Sequence, residues 1–458
     1  MEILRTISAR LPRGGLGRRS LVMGGWSFVD LALGNSLRLA GNLILTRLLF
    51  PEAFGLMAMV LTIQTGAQML SDIGIRQSII RAESAEDPEF LRTAWTVQIV
   101  RGAAIALVIL ACGAGLWLFG PHLATPGTVY ADPVLPFLVM ASALTMLLDA
   151  LVSVNMHLAN RRMEMRRLVV LNLVSQILGL VVMITIASVH ATVWALLIGA
   201  VVGSCCRAAL SHALFEGPRM RLAWNREYRN QLWQFGKWLI GSSGLGFLVV
   251  HADRLILGSL LAATPFSLYV IAGIWIQAYS MVVGSISGQV GLPALSEVHR
   301  TRPEDLPRLF RKSARVLDLF CLAGFLGLAL GGDLLITILY TPEYELAGQF
   351  MPLMAVLILR RRFGLLTEFL ILQGHTPRLM LSSAVSAVAI CLAIPLGYML
   401  AGTAGAIAGS ILAPLTGEIL KLLAARRTLG ATSREDWAWL LGILCVAAAV
   451  TAGTELPF

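Results

Sequence analysis

Eight cations sit inside long apolar runs of this chain: Arg38, Arg101, Arg207, Lys237, Arg254, Arg360, Arg361 and Arg362. A charge at mid-bilayer costs about 2.5–3.5 kcal/mol on insertion scales, so such residues face a watery cavity or pair with one another. Several lie on polar stripes. Asp30, Gly34, Arg38 and Asn42 are spaced by four and share one helix face, as do Gln64, Gln68 and Asp72. Gln98 with Arg101, and Asn172 with Gln176, extend the pattern to two further runs. Polar faces on several helices are what the walls of a hydrated cavity require. Local pairing is the competing reading: Asp30 can neutralise Arg38 across a helix–helix contact, and Asp72 can pair with Arg76 or Arg81. Asp253 and Arg254 are adjacent and point to different faces. The triplet Arg360–Arg362 cannot face one way, and reads as a kink or a deep water inlet rather than a site.

The elements that carry these residues are membrane helices. Of 458 residues, 57% are hydrophobic and 14% charged, with a mean hydropathy of +0.77. Soluble domains are about 45–50% apolar and about 25% charged. A disordered chain, a coiled coil and almost any soluble enzyme are excluded. A span needs about 20 apolar residues, and the runs fall at roughly 20–46, 53–75, 93–119, 134–159, 168–188 and 191–215, then 236–258, 267–292, 314–340, 348–372, 379–400 and 404–424. A thirteenth run, 437–453, is short for a span. The basic start of the chain followed by a long apolar run predicts an uncleaved first span.

Charge placement sets sidedness. Of 36 Lys and Arg residues, 27 lie in alternate loops and only Arg47 lies in the opposite ones. Basic loops stay cytoplasmic, which predicts a cytoplasmic N-terminus. It also disposes of a nucleic-acid partner, which the net charge of +10 would otherwise suggest, because the cations are topology signals spread over many loops. The six cysteines all lie in apolar runs without ligand spacing, so neither a disulfide framework nor a metal site is expected, and no cofactor is implied. Gly236-Lys237 lacks the remainder of a phosphate-binding loop, so the chain does not hydrolyse a nucleotide itself.

The chain also repeats. Leu45, Leu48, Leu49, Phe54 and Leu56 recur 212 residues later as Leu257, Leu260, Leu261, Phe266 and Leu268. Parallel six-helix repeats are a transporter architecture. The expected fold is therefore an all-α polytopic membrane protein with two six-helix lobes, 1–215 and 236–425, around a central cavity. A cytoplasmic linker, 216–235, joins them, and a tail, 426–458, holds the possible extra span. In the linker, Trp224, Tyr228, Leu232 and Phe235 recur at helical spacing, which predicts an amphipathic helix in the membrane interface. Gly284/Gly288 and Gly405/Gly409 suit close helix contacts.

The stretch Leu45-Thr46-Arg47-Leu48-Leu49-Phe50-Pro51-Glu52-Ala53-Phe54-Gly55-Leu56-Met57-Ala58 resembles the oligosaccharide flippases, the polysaccharide-transport branch of the multidrug/oligosaccharidyl-lipid/polysaccharide exporter superfamily. Ser71-Asp72-Ile73-Gly74-Ile75, Asp253-Arg254-Leu255-Ile256-Leu257-Gly258 and Leu292-Pro293-Ala294-Leu295-Ser296 follow in the order and spacing of that family, to about residue 425. The resemblance implies a transporter rather than an enzyme. It would flip a polyprenyl-pyrophosphate-linked oligosaccharide across the bacterial inner membrane by alternating access, for exopolysaccharide, capsule or O-antigen assembly. Implied partners are that lipid-linked cargo, membrane lipid, and a polysaccharide polymerase with its chain-length regulator. Arginine forks match phosphate oxygens, so Arg38, Arg101 and Arg254 are the expected pyrophosphate contacts, with Gln64 and Gln68 beside them. Asp30 and Asp253 are candidates for proton or sodium coupling. The rival readings are a multidrug cation antiporter of the same superfamily, which net cationic walls oppose, and a glycan polymerase or ligase, which the short external loops oppose.

Overall fold

The structure, a computed structural model, describes residues 15–162, 164–287, 292–429 and 433–453. Arg5, Arg10 and Arg13 of the basic N-terminus and Gly288 of the glycine pair lie outside the described residues. The described elements are helices joined by short turns, with one isolated antiparallel bridge between Thr128 and Ala262. In chain order they are α1 (Gly15–Leu45), α2 (Pro51–Leu70), α3 (Ile75–Arg81), α4 (Pro88–Leu123), α5 (Leu135–Ala150), α6 (Asn155–Arg161), α7 (Met165–Val189) and α8 (Trp194–Leu214). Then follow α9 (Arg226–Leu260), α10 (Ala263–Ile286), α11 (Leu292–Thr301), α12 (Leu306–Leu339), α13 (Ala347–Arg360), α14 (Gly364–Leu372), α15 (Thr376–Leu412), α16 (Leu415–Leu429) and α17 (Ser433–Gly453).

Among the described residues, eight helical stretches are long and apolar enough to cross a membrane alone, and nine if the bent pair α5–α6 counts as one span. The other expected spans correspond to three features. Helix α1 carries Arg18, Arg19, Asp30 and Arg38 within its apolar length. Helices α13 and α14 are too short singly and meet at a one-turn 3-10 helix, Arg361–Phe363. The stretch 376–426 is divided by non-helical backbone at Ala401 and Gly402, the latter at φ 59°. Beyond that break Gly405 and Gly409 lie against the backbone of Gly397 and Ala393, as the small-residue spacing predicts. Outer faces carry Leu330, Met399 and Leu400 at 81%, 82% and 87% exposure, which water would not tolerate but lipid favours. The chain is an all-α, multi-pass membrane protein.

Two compact units are present. The first comprises the described residues up to Leu49, Ile63–Trp117 and Pro136–Gly241; the second comprises Phe50–Thr62, Leu118–Leu135 and the described residues from Ser242 on. Helices α2, α4 and α9 each contribute to both, so the units do not divide at a linker. The expected linker helix is also different in kind. Residues 216–225 are not helical, and α9 begins only after Asn225, whose side-chain oxygen accepts the amides of Glu227 (2.9 Å) and Tyr228 (3.4 Å) as an N-cap. Trp224 therefore precedes the helix that carries Tyr228 and Leu232.

In the first unit, Ile79, Phe90, Leu91, Val154, Leu158 and Leu232 form a buried apolar core. In the second unit Phe266, Phe310, Tyr344, Phe350, Phe363 and Phe369 are fully buried. Arg362 enters this second core with 2% of its side chain exposed. It donates to Asp318 on α12 (2.9 Å) and pairs with Asp436 at the start of α17. The arginine triplet thus falls at the 3-10 turn between α13 and α14, and one of its members pairs with the C-terminal helix.

Candidate functional site

A polar cavity of about 430 Å³ opens within the first unit. Its position follows from a broken helix. Helix α5 ends at Ala150 and α6 starts at Asn155, bent by 57°. The backbone groups freed at the break have no water in hydrocarbon, so side chains must satisfy them. Gln98 on α4 donates to the carbonyls of Ala150 (3.0 Å) and Val152 (2.8 Å). Trp95 Nε1 (3.4 Å) and His212 Nε2 (2.9 Å) contact the Leu151 carbonyl, and the Ser153 amide donates to Ser211 Oγ (2.8 Å). Helix α4 approaches α5 closely because residue 102 is glycine: a Cβ there would collide with Ala150. That approach sets Arg101 at the cavity wall.

Three guanidinium groups (Arg76, Arg101, Arg207), two carboxylates (Asp72, Asp149) and His157 line the space, with Gln68 and Gln98. Arg101 is held in place, donating to the Gln68 carbonyl (2.8 Å) and to Ser71 Oγ (3.3 Å), with Asp72 as an opposing charge. Asp72 accepts the Gly74 amide (2.9 Å), which shapes the turn between α2 and α3. On α8, Arg207 lies within the field of Asp149, yet its Nε is buried without a hydrogen-bond partner. A buried guanidinium N–H left unsatisfied is an offer to an acceptor, and the cationic lining selects an anionic one. Among the described residues no three His, Cys, Asp or Glu side chains converge as metal ligands.

Of the residues singled out in the sequence, Gln68, Asp72, Gln98 and Arg101 line this cavity, and Gln68 Nε2 also donates to Met146 Sδ (3.0 Å). Gln64 is buried one turn along α2, donating to the Ser142 carbonyl (3.1 Å) and Thr145 Oγ1 (2.9 Å). The stripes of α1 and α7 meet each other: Asn172 donates to Asp30 (3.3 Å) and Gln176 donates to the Gly34 carbonyl (3.0 Å). They join two helices instead of walling this cavity. Arg38 is exposed on α1. Asp253 and Arg254 lie on α9 in the second unit, where Asp253 accepts the Tyr269 hydroxyl (2.5 Å) and its Oδ1 has no hydrogen-bond partner. Periodicity in the sequence does not mark Asp149, His157 and Arg76 as site residues, and it shows Arg207 only as an intramembrane cation. Asp149 carried a signal, being a carboxylate inside the apolar run 134–159.

A family model described as "Polysaccharide biosynthesis protein" matches residues 44–348, well over half of the chain. The chain belongs to this polysaccharide biosynthesis protein family. Two curated relatives are similar over part of their length. The amylovoran biosynthesis protein AmsL of Erwinia amylovora is 29% identical over 134 residues, which is 29% of this chain and 34% of AmsL. The succinoglycan biosynthesis transport protein ExoT of Rhizobium meliloti (strain 1021) is 25% identical over 279 residues, 61% of this chain and 54% of ExoT. The matched regions therefore span about a third to a half of these relatives. An inward-facing multidrug resistance MATE family transporter of the MOP superfamily has a TM-score of 0.56 at 14% identity, covering 87% of this chain and 96% of that one. The eukaryotic MATE transporter AtDTX14 gives 0.57 at 12% identity, covering 95% and 100%. These likenesses establish the fold.

Proposed function

We propose that this polysaccharide biosynthesis family member moves a polyprenyl-pyrophosphate-linked oligosaccharide repeat unit across the bacterial inner membrane by alternating access, with its N-terminus cytoplasmic. The observation that carries the proposal is the arginine-lined cavity at the α5–α6 break, where Arg207 Nε has no hydrogen-bond partner. A pyrophosphate in hydrocarbon is prohibitively costly, whereas Arg101 and Arg207 present forks to its oxygens in a hydrated space. Arg38 and Arg254, outside this cavity, act at other stages of transit. Asp253, with one carboxylate oxygen lacking a hydrogen-bond partner, is the stronger candidate for ion coupling; Asp30 is engaged by Asn172. The relatives named for amylovoran and succinoglycan point to an exopolysaccharide unit as cargo.

The test is transport in sealed vesicles. Purified protein should move a lipid-linked oligosaccharide between leaflets without altering its covalent structure. Arg101→Gln and Arg207→Gln should each cut the rate at least tenfold at near-normal membrane accumulation, and Lys should restore part of it. Transport of drug cations with unaltered lipid-linked glycan would instead favour the multidrug antiporter. Glycan growth or transfer would overturn the transporter reading.

A further inference from the structure

We infer that residues 219–233, at the start of α9 and the strap before it, form a docking site for acidic phospholipid headgroups of the cytoplasmic leaflet. The inference does not depend on the cargo, but it does depend on the sidedness proposed above.

The strap is pinned from one side only. The amide of Ala223 donates to Thr96 Oγ1 (3.0 Å) and that of Asn225 to Thr93 Oγ1 (3.3 Å). Just beyond, the Tyr228 hydroxyl donates to Asp87 (2.5 Å), its ring sits edge-on to Phe90, and Leu232 is buried. What faces inward is thereby fixed, and so is what faces outward: Leu222, Trp224 and Trp233, exposed at 70%, 53% and 57%. Arg219, Arg221 and Arg226 of the same segment are exposed as well. The Arg229 guanidinium stands 5.8 Å over the Trp224 ring, a cation–π contact that holds the indole upright.

Aqueous exposure does not suit this combination. Indoles seek the boundary between headgroups and acyl chains, and basic residues beside them seek anionic headgroups. Charge complementarity selects the occupant. Between 219 and 233 four arginines stand against one carboxylate, Glu227. Glu216, just before the segment, is already taken by Arg167 (2.7 Å). An acidic protein surface would match the charge but not the exposed tryptophans.

A photo-crosslinking benzophenone amino acid placed at position 222 of the full chain, in cells, tests the proposal by mass spectrometry of the adducts. Phospholipid adducts are expected, with the acidic species enriched at least threefold over their share of the membrane. Arg221→Gln with Arg226→Gln should remove that enrichment while leaving total lipid adducts unchanged. Slow exchange of the Ala223 and Asn225 amides in that variant verifies that the strap is still seated. A protein adduct as main product, no adduct at all, or an acidic share that ignores the arginines would each overturn the proposal.

Discussion

The Thr264 hydroxyl donates a 2.5 Å hydrogen bond to the Glu52 carboxylate, and the two residues are 212 positions apart, the same interval as the sequence repeat. Nor is this pair alone. A Cβ built on Gly55 would lie 3.3 Å from Cβ of Ser267, again 212 residues on. Helices α2 and α10 therefore meet through equivalent positions of the sequence repeat. Glu52 and Thr264 stand in the first turns of their helices, where a carboxylate is also favoured by the helix dipole.

That close approach makes Gly55 intolerant of a side chain. A Cβ there would sit 2.8 Å from the Ala263 carbonyl oxygen, which is backbone and cannot swing away. Gly55→Ala should lower stability by about 1–3 kcal/mol, the range for overpacking a well-filled contact. Thermal unfolding of the detergent-solubilised protein measures it; an unchanged midpoint would show that α2 and α10 can part without cost.

The Asp318–Arg362–Asp436 triad should behave as buried ion networks do. Removing the shared cation leaves two carboxylates without their partner, so Arg362→Ala should cost about 3–5 kcal/mol. Asp318→Asn with Asp436→Asn in the same chain should recover part of the loss. Because Asp436 lies in the first turn of α17, protease sensitivity near 433–436 should rise in the single variant and fall back in the triple one. Loss confined to transport, with stability intact, would contradict this assignment.

The strap should loosen in acid. The Tyr228 hydroxyl, then the Glu89 amide, hold the Asp87 carboxyl below its ordinary value near 3.8, while Asp87 pushes the Tyr228 hydroxyl up to about 12. A carboxylate with a lowered folded-state value contributes its stability above the ordinary value and loses it as pH falls through the lowered one. The raised tyrosine contributes below its ordinary value near 10 and loses that contribution as pH rises through about 12. Intrinsic-rate-corrected protection of the Ala223 and Asn225 amides should therefore be flat between about pH 5 and 9. It should fall below about pH 4 and again in strong alkali. Tyr228→Phe should lower the plateau and abolish the alkaline limb; an unchanged pH profile would count against the bond.

Some of this molecule is written in local pattern. Mean hydropathy and the spacing of charges identify a membrane protein of helices, because burial in lipid is decided residue by residue. The gap between the runs 379–400 and 404–424 falls at the break at Gly402, and the period of 3.6 places Asp30 with Gly34, and Asn172 with Gln176, on single faces. Periodicity says which side of a helix is polar but not what that side meets. The α1 and α7 stripes, read as cavity walls, are partners for each other across 142 residues. The cavity gathers Asp72, Arg101, Asp149, His157 and Arg207 from five helical or turn segments, and no spacing in the sequence records that convergence. Helix crossings and the break after Ala150 decide it, through close approach at Gly102 and the need to satisfy carbonyls where water is absent. The linker differs for the same reason: helical spacing made one face of Trp224, Tyr228 and Leu232. The local Asn225 cap starts the helix after Trp224, and the Thr93 and Thr96 hydroxyls, available only in the folded unit, seat the strap so that the tryptophan is exposed.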